Sequence, residues 1–291
     1  MKALPYCRLL LLVATLLPAA LLAQNIAAQP DAAKPAPKPA ATNAIDCGSY
    51  AASDARLDLI SKLCEFALSY RHQLPDFIVQ QTTTSEGMSK TVIKAQVTFQ
   101  RGLETYSNVT IDGRPAPVSS ITTNPPNSIQ FSATGEFGPA LLDLFRVPGA
   151  TEFKFKKTSV VRNQPVAIYE FHVPEKKNVF WMFRIADGRT FRPEYNGELW
   201  LQPQTGRPLR EEMQPVSLPA GWEITSAKTV IDYAMTALSD AGTFLLPVRS
   251  ESTLCNQGMY GMGACTTNVI LFQHYRKFGA TTRIISSDPA Q

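Results

Sequence analysis

Tyr195 to Gln214, YNGELWLQPQTGRPLREEMQ, reads as two strands joined by a tight turn at Gln204-Thr205-Gly206. Glu198, Trp200 and Gln202 alternate with Leu199 and Leu201, and a second extended run restarts at Pro208. Alternation with a period of two sends successive side chains to opposite faces of a sheet, so the stretch predicts a half-buried hairpin.

The same period governs most of the chain from Asp76 onward. It is legible in Phe77-Ile78-Val79-Gln80, in Ile93, Ala95, Val97 and Phe99, and in Leu103 to Ile111. Asp112-Gly113 then supplies the residue pair that a type I′ turn favours, because both positions need positive φ. Val166 to Val173 places Ala167, Tyr169, Phe171 and Val173 on one face. Val179 to Ala186 is apolar on both faces and predicts a strand covered on both sides. Further strands are expected at Lys228 to Met235, Thr243 to Ser250 and Val269 to Phe278, whereas Pro115 to Ser132, with Pro125-Pro126, reads as loop.

Two segments break the pattern. After Ser53, an expected N-cap, Leu57, Ile60, Leu63, Cys64, Ala67 and Leu68 recur at helical spacing until Pro75 forbids continuation. Ala140 to Arg146 predicts a second, short helix, with Pro139 where a missing amide costs nothing. The fold class expected is α+β: a large curved antiparallel β-meander of about nine or ten strands. Its concave side is expected to be covered by the two helices, whose apolar residues need a surface to bury against.

The ends carry different signals. Met1 to Ala23 has a basic start (Lys2, Arg8), an apolar run and small residues, the pattern of a secretory signal peptide. Its apolar run is shorter than the roughly 20 residues of a membrane span, so no transmembrane span is expected in the mature chain. Residues 24–45 are rich in Ala, Pro and Lys and are expected to form a disordered tether. Residues 46–284 are expected to form one domain and 285–291 a flexible tail. The 291 residues hold 28 Lys plus Arg against 24 Asp plus Glu, spread along the chain with no basic stripe, which excludes nucleic acid as an expected partner.

Four cysteines follow the export signal, and an oxidising destination predicts that they are paired. Of three pairings we expect Cys47 with Cys64, tying the end of the tether to the helix, and Cys255 with Cys265, closing a Gly-rich loop between strands.

The helix leading into Phe77-Ile78-Val79-Gln80, and the later hairpin Gly197 to Arg210, resemble the LolA/LolB/RseB-like lipoprotein carrier superfamily. The hairpin has that family's aromatic strand, its Pro-x-Thr-Gly turn (Pro203 to Gly206) and its Pro-hydrophobic-Arg return (Pro208-Leu209-Arg210). The resemblance covers Ser53 to Phe278. It implies a curved half-barrel closed by helices over an apolar cavity that in the carriers accepts acyl chains. More loosely, Gly135 to Gly138 and Phe244 to Val248 are similar to phrases in uncharacterised secreted bacterial proteins.

Catalytic signatures are absent: the chain has no Gly-x-Ser-x-Gly, His-Glu-x-x-His, Cys-x-x-Cys or phosphate loop. His72, His172 and His274 have no ligand spacing, so neither metal nor cofactor is expected. Glu211 and Glu212 are strand neighbours that point to opposite faces. Lys154, Lys156 and Arg162 share one predicted strand face, where they solvate the surface or meet anionic headgroups.

Three readings remain. The first is an exported envelope protein, periplasmic or secreted, that binds an apolar ligand or lipid in the half-barrel. The second is a non-catalytic interaction or sensor domain with an envelope protein partner, and the third is a secreted enzyme. An apolar ligand would be lined by Leu57, Ile60, Leu63, Phe137, Leu141 and Phe145 from the helical side. Tyr169, Phe171, Trp181, Phe183, Leu199 and Leu201 would face it from the strands. An open cavity favours the first reading, an aromatic-filled core the second, and His172 or His274 beside a carboxylate in a cleft the third. N-terminal sequencing of the exported product is expected to begin at Gln24; a membrane-embedded product retaining Met1 would contradict the export reading.

Overall fold

The computed structural model describes residues 45–122, 136–184, 188–257 and 263–278. The signal peptide, all but the last residue of the tether, Pro125-Pro126 and the tail lie outside these residues.

A short helix α1 (Gly48–Ser53) ends at Asp54, which is extended, and the Asp54 side chain accepts from the Arg56 amide at 2.9 Å. One 3-10 turn follows, and helix α2 (Asp58–Gln73) begins there. The helix predicted from Ser53 therefore starts five residues later, because Asp54 caps a separate turn in place of Ser53.

The strands are β1 (Phe77–Glu86), β2 (Lys90–Gln100), β3 (Leu103–Ile111) and β4 (Arg114–Pro115). A one-turn helix α3 (Ser119–Thr122) lies in the stretch read as loop, and α4 (Pro139–Arg146) follows. Then come β5 (Glu152–Val161), β6 (Gln164–Val173), β7 (Phe183–Arg184), β8 (Thr190–Phe191), β9 (Tyr195–Leu201), β10 (Pro208–Pro215), β11 (Ile224–Ala237), β12 (Thr243–Asn256) and β13 (Ala264–Lys277).

Eleven strands form one open antiparallel sheet in the order β4-β3-β2-β1-β13-β12-β11-β10-β9-β6-β5. This curved sheet carries α2 and α4 on its concave side. The order departs from a simple meander at two joins. The last strand, β13, pairs with β1, and β6 pairs with β9. Asp112-Gly113 and Arg162-Asn163 turn between neighbouring strands with positive φ at all four residues, as type I′ geometry requires.

Val179 to Arg184, the described part of the run Val179 to Ala186, does not form the doubly covered strand. Only Phe183 and Arg184 pair, with β8, in a separate two-stranded sheet. The reason is Asn178, which is buried. Its side-chain amide donates to the carbonyls of Trp181 and Pro193 at 2.8 Å, and its oxygen accepts from the amides of Phe180 and Trp181. Backbone groups that a strand would offer to a neighbour are spent on one side chain.

Cys47–Cys64 and Cys255–Cys265 are disulfide-bonded, the second between directly paired positions of β12 and β13. Buried apolar residues form two clusters, one under α2 and α4 against β6 and β9 to β12, the other around Phe77, Phe99, Phe137 and Phe272.

Glycine is structurally required at Gly197. A Cβ there would lie 1.9 Å from the Glu212 carbonyl oxygen and 2.4 Å from the Phe171 ring. Gly197→Ala is therefore expected to lose at least about 2 kcal/mol in urea denaturation through overpacking. Gly102→Ala meets no atom within 4 Å and should lose only the conformational cost of its positive φ, about 1 kcal/mol.

Candidate functional site

The concave side holds the residues expected to line an apolar cavity, and they touch one another. Ile60, Leu63, Leu141, Phe145, Leu199 and Leu201 have no exposed surface; Tyr169, Phe171, Trp181 and Phe183 are buried in the same cluster, with Leu57 half-buried against it. Phe145 stacks on Phe153 at 5.5 Å between ring centroids, with Tyr50 of α1 edge-on to both. Phe137 is the exception. It sits in the second cluster, 5.4 Å from the Phe77 ring and 5.3 Å from that of Phe272, because it precedes α4 and points away from the α4 contacts.

Within this apolar interior lies a polar seam between α4 and the sheet. Tyr195 Oη donates to Asp143 Oδ2 at 2.9 Å. Asp143 Oδ1 has no hydrogen-bond partner among the described residues, and Glu211 faces the Tyr233 hydroxyl, which lowers its pKa, without a bond of good geometry. Burial raises the pKa of Asp143, opposed by the Tyr195 hydrogen bond. Burial, then the neighbouring Asp143, push Glu211 up to about 8, so it is protonated at neutral pH. Burial, and next the Glu211 charge, raise the Tyr233 hydroxyl as well. Sequence reading missed this seam, although its signals were present. Asp143 is the lone acid in the apolar helix PALLDLFR, and Glu211 takes an inward position next to outward Glu212.

The opposite, outer face of β5, β6, β9 and β10 carries an open groove of about 780 Å³. Glu170, Glu198 and Glu212 stand directly opposite one another on β6, β9 and β10. Like charges so placed repel. Lys156 offsets this by binding Glu170 at 3.0 Å and Glu198, and Lys228 binds Glu212 at 2.7 Å. Arg162 lies 3.3 Å from buried Asp232. The face expected to offer Lys156 and Arg162 to headgroups thus holds them in ion pairs.

His172 Nε2 sits 2.8 Å from Glu194 Oε1 in this groove, with Glu152 3.8 Å from Nδ1. A His–carboxylate pair can move a proton, and no Ser, Thr or Cys among the described residues lines the groove as a covalent nucleophile. No cluster of three or more metal-ligating side chains occurs among the described residues.

The geometry defines a class: an open antiparallel half-barrel plugged on its concave side by helices. Solved structures similar to the chain include LolA superfamily protein NE2245 from Nitrosomonas europaea, at 13% identity and TM-score 0.35, covering 75% of this chain and 93% of that one. A putative outer membrane lipoprotein-sorting protein domain from Vibrio parahaemolyticus is 13% identical, with 73% and 91% covered and a TM-score of 0.36. A DUF1329 family protein from Desulfovibrio piger is 10% identical, with 77% and 95% covered and a TM-score of 0.37. No family model matches the chain, and no curated protein does.

The seam sets a pH dependence. Below 4.5, its ordinary value, Glu211 is protonated in both folded and unfolded chains. Between 4.5 and about 8 the unfolded chain loses the proton first, so stability falls as pH rises through that window. The slope approaches about 1.4 kcal/mol per pH unit. Urea denaturation at about pH 5 and about pH 9 should show this loss in the parent and not in Glu211→Gln, which cannot ionise.

Proposed function

We propose that the chain is an exported, non-catalytic binding protein of the cell envelope whose half-barrel serves as an interaction domain and not as a preformed container. The observation that carries this reading is the packing of the concave side, where Phe145, Tyr169, Phe171, Trp181 and Tyr195 are buried against one another and against α2 and α4. A container for an acyl chain needs apolar surface left over, and close packing leaves none between groups in direct contact. Recognition is then a matter for the outer surface, where the charged groove of β5, β6, β9 and β10 is the larger of the two described openings.

Carriage of an apolar ligand or lipid is the second reading, favoured by the polar seam. Asp143 and Glu211 leave α4 bound to the sheet through a contact with unsatisfied carboxyl oxygens, so α4 is the element whose displacement would open the interior. Hydrolysis is the third reading: the His172–Glu194 pair meets its condition, a histidine beside a carboxylate in a cleft, and would act as a base toward water.

The purified mature protein is expected to give no saturable displacement of a fluorescent fatty acid, and to carry no stoichiometric lipid by mass spectrometry. Saturable binding, lost in Phe145→Glu, would return the reading to a carrier.

A further inference from the structure

A second opening, about 310 Å³, lies on the outer face of β13, β1, β2 and β3, outside the interior and outside the charged groove. Ile78 and Ala95 contribute apolar surface, and the polar side chains around it are Gln80, Lys94, Gln96, Asn108, His274 and Arg276. Every one of these six offers N–H donors, and no carboxylate among the described residues lines the opening. Arg276 Nη2 donates to Gln96 Oε1 at 3.4 Å, and Gln96 Nε2 donates to Ser107 Oγ at 3.4 Å, so the amide is held with its oxygen toward the guanidinium. Neither Lys94 nor Arg276 is in an ion pair among the described residues, unlike the lysines of the charged groove that contact Glu170, Glu198 and Glu212.

The backbone is shaped to present these groups. On β13, Arg276 faces Ile78 and Gln273 faces Gln80, so His274 and Tyr275 together oppose Val79. On β3, Thr110 faces Lys94 and Ser107 faces Gln96, so Asn108 and Val109 together oppose Ala95. Each strand has an inserted residue in the left-handed region: His274 at φ 56° and Asn108 at φ 52°. The left-handed region disfavours residues that carry a Cβ, and such conformations concentrate where a side chain must be re-aimed. Here two bulges on the two outer strands of a four-strand block bring their extra residues to one opening. Tyr275 and Val109 keep inward packing while His274 and Asn108 stay exposed.

We infer that the paired bulges build an anion-binding site for a phosphate-type group, whether free phosphate or the phosphate of a lipid headgroup. A tetrahedral oxyanion accepts several hydrogen bonds at once and matches a ring of donors around two cations. The site is open, so the affinity should weaken with salt.

The full mature protein, labelled with ¹⁵N, is titrated with inorganic phosphate at fixed ionic strength, with chloride as control. Saturable shifts confined to the amides near Gln80, Gln96, Asn108 and His274 are expected, with affinity reduced about tenfold in Lys94→Gln and in Arg276→Gln. Lys90→Gln removes the same charge elsewhere on β2 and should leave binding unchanged. His274→Gly relieves the left-handed strain, so it should keep or raise the thermal midpoint while weakening phosphate binding. A parallel sedimentation arm uses phosphatidylglycerol and phosphatidylcholine vesicles. Pull-down by the former that Lys94→Gln abolishes identifies a headgroup site, and binding of phosphate without vesicles identifies a soluble anion. The inference is overturned if neither phosphate nor anionic vesicles bind saturably, or if Lys90→Gln weakens binding as much as Lys94→Gln.

Discussion

The structure depends on the burial of one helical stripe in the bend of one sheet. Ile60, Leu63, Cys64 and Ala67 of α2 belong to the first apolar cluster, Tyr70 to the second, and Phe66 packs against both. A fully buried Leu or Ile contributes about 2 kcal/mol, so burying this stripe holds the helix in the bend that a large twisted sheet takes on. Directional contacts then lock the placement. Tyr70 Oη donates to the Leu245 carbonyl on β12, Tyr169 Oη to the Arg56 carbonyl just before α2, and Cys64 is joined to Cys47. The Thr-Gly turn of the β9–β10 hairpin comes so close that a Cβ on Gly206 would lie 2.7 Å from Lys62 Cβ and 3.0 Å from the Leu59 carbonyl oxygen.

Sheet geometry sorts polar groups by parity. Neighbours Glu211 and Glu212 have opposite fates. The first is driven inward against Asp143 and Tyr233 and holds its proton; the second remains outside and pairs with Lys228. The interior thereby gains an acidic seam under α4, and the outer face gains a row of glutamates that needs lysines to hold it together. Arg210 shows the same economy outside, bridging buried Asp232 at 2.7 Å while lying over the Trp200 ring. The two described openings of the outer face consequently differ in sign, carboxylate-rich over β6, β9 and β10 and cationic over β13 to β3.

Much of this was legible because it is local. Period-two alternation located the strands of the main sheet, Asp112-Gly113 announced its turn, and Pro139 and Pro75 bounded helices through their missing amides and fixed φ. The apolar residues of α2, α4, β6 and β9 were identified as partners, since unpaired stripes have few surfaces to meet. The described part of Val179 to Ala186, Val179 to Arg184, misled because a short apolar run has the same composition in a strand and in a buried loop, and the side chain of Asn178 decided between them. Phe137 misled because proximity in sequence to α4 does not determine which cluster a ring enters.

What the sequence by itself determined is the inventory: antiparallel strands, two apolar helices and an apolar set able to join them. Those properties follow from backbone sterics and side-chain periodicity within a few residues. The tertiary structure alone decided that β13 returns to β1 and β6 to β9, because pairing between strands distant in the chain is chosen by the burial that the whole sheet achieves. It alone decided that Asp143 meets Glu211, and that the extra residues of two bulges face one opening. Each of these is a juxtaposition across strands or layers, and no local period records it.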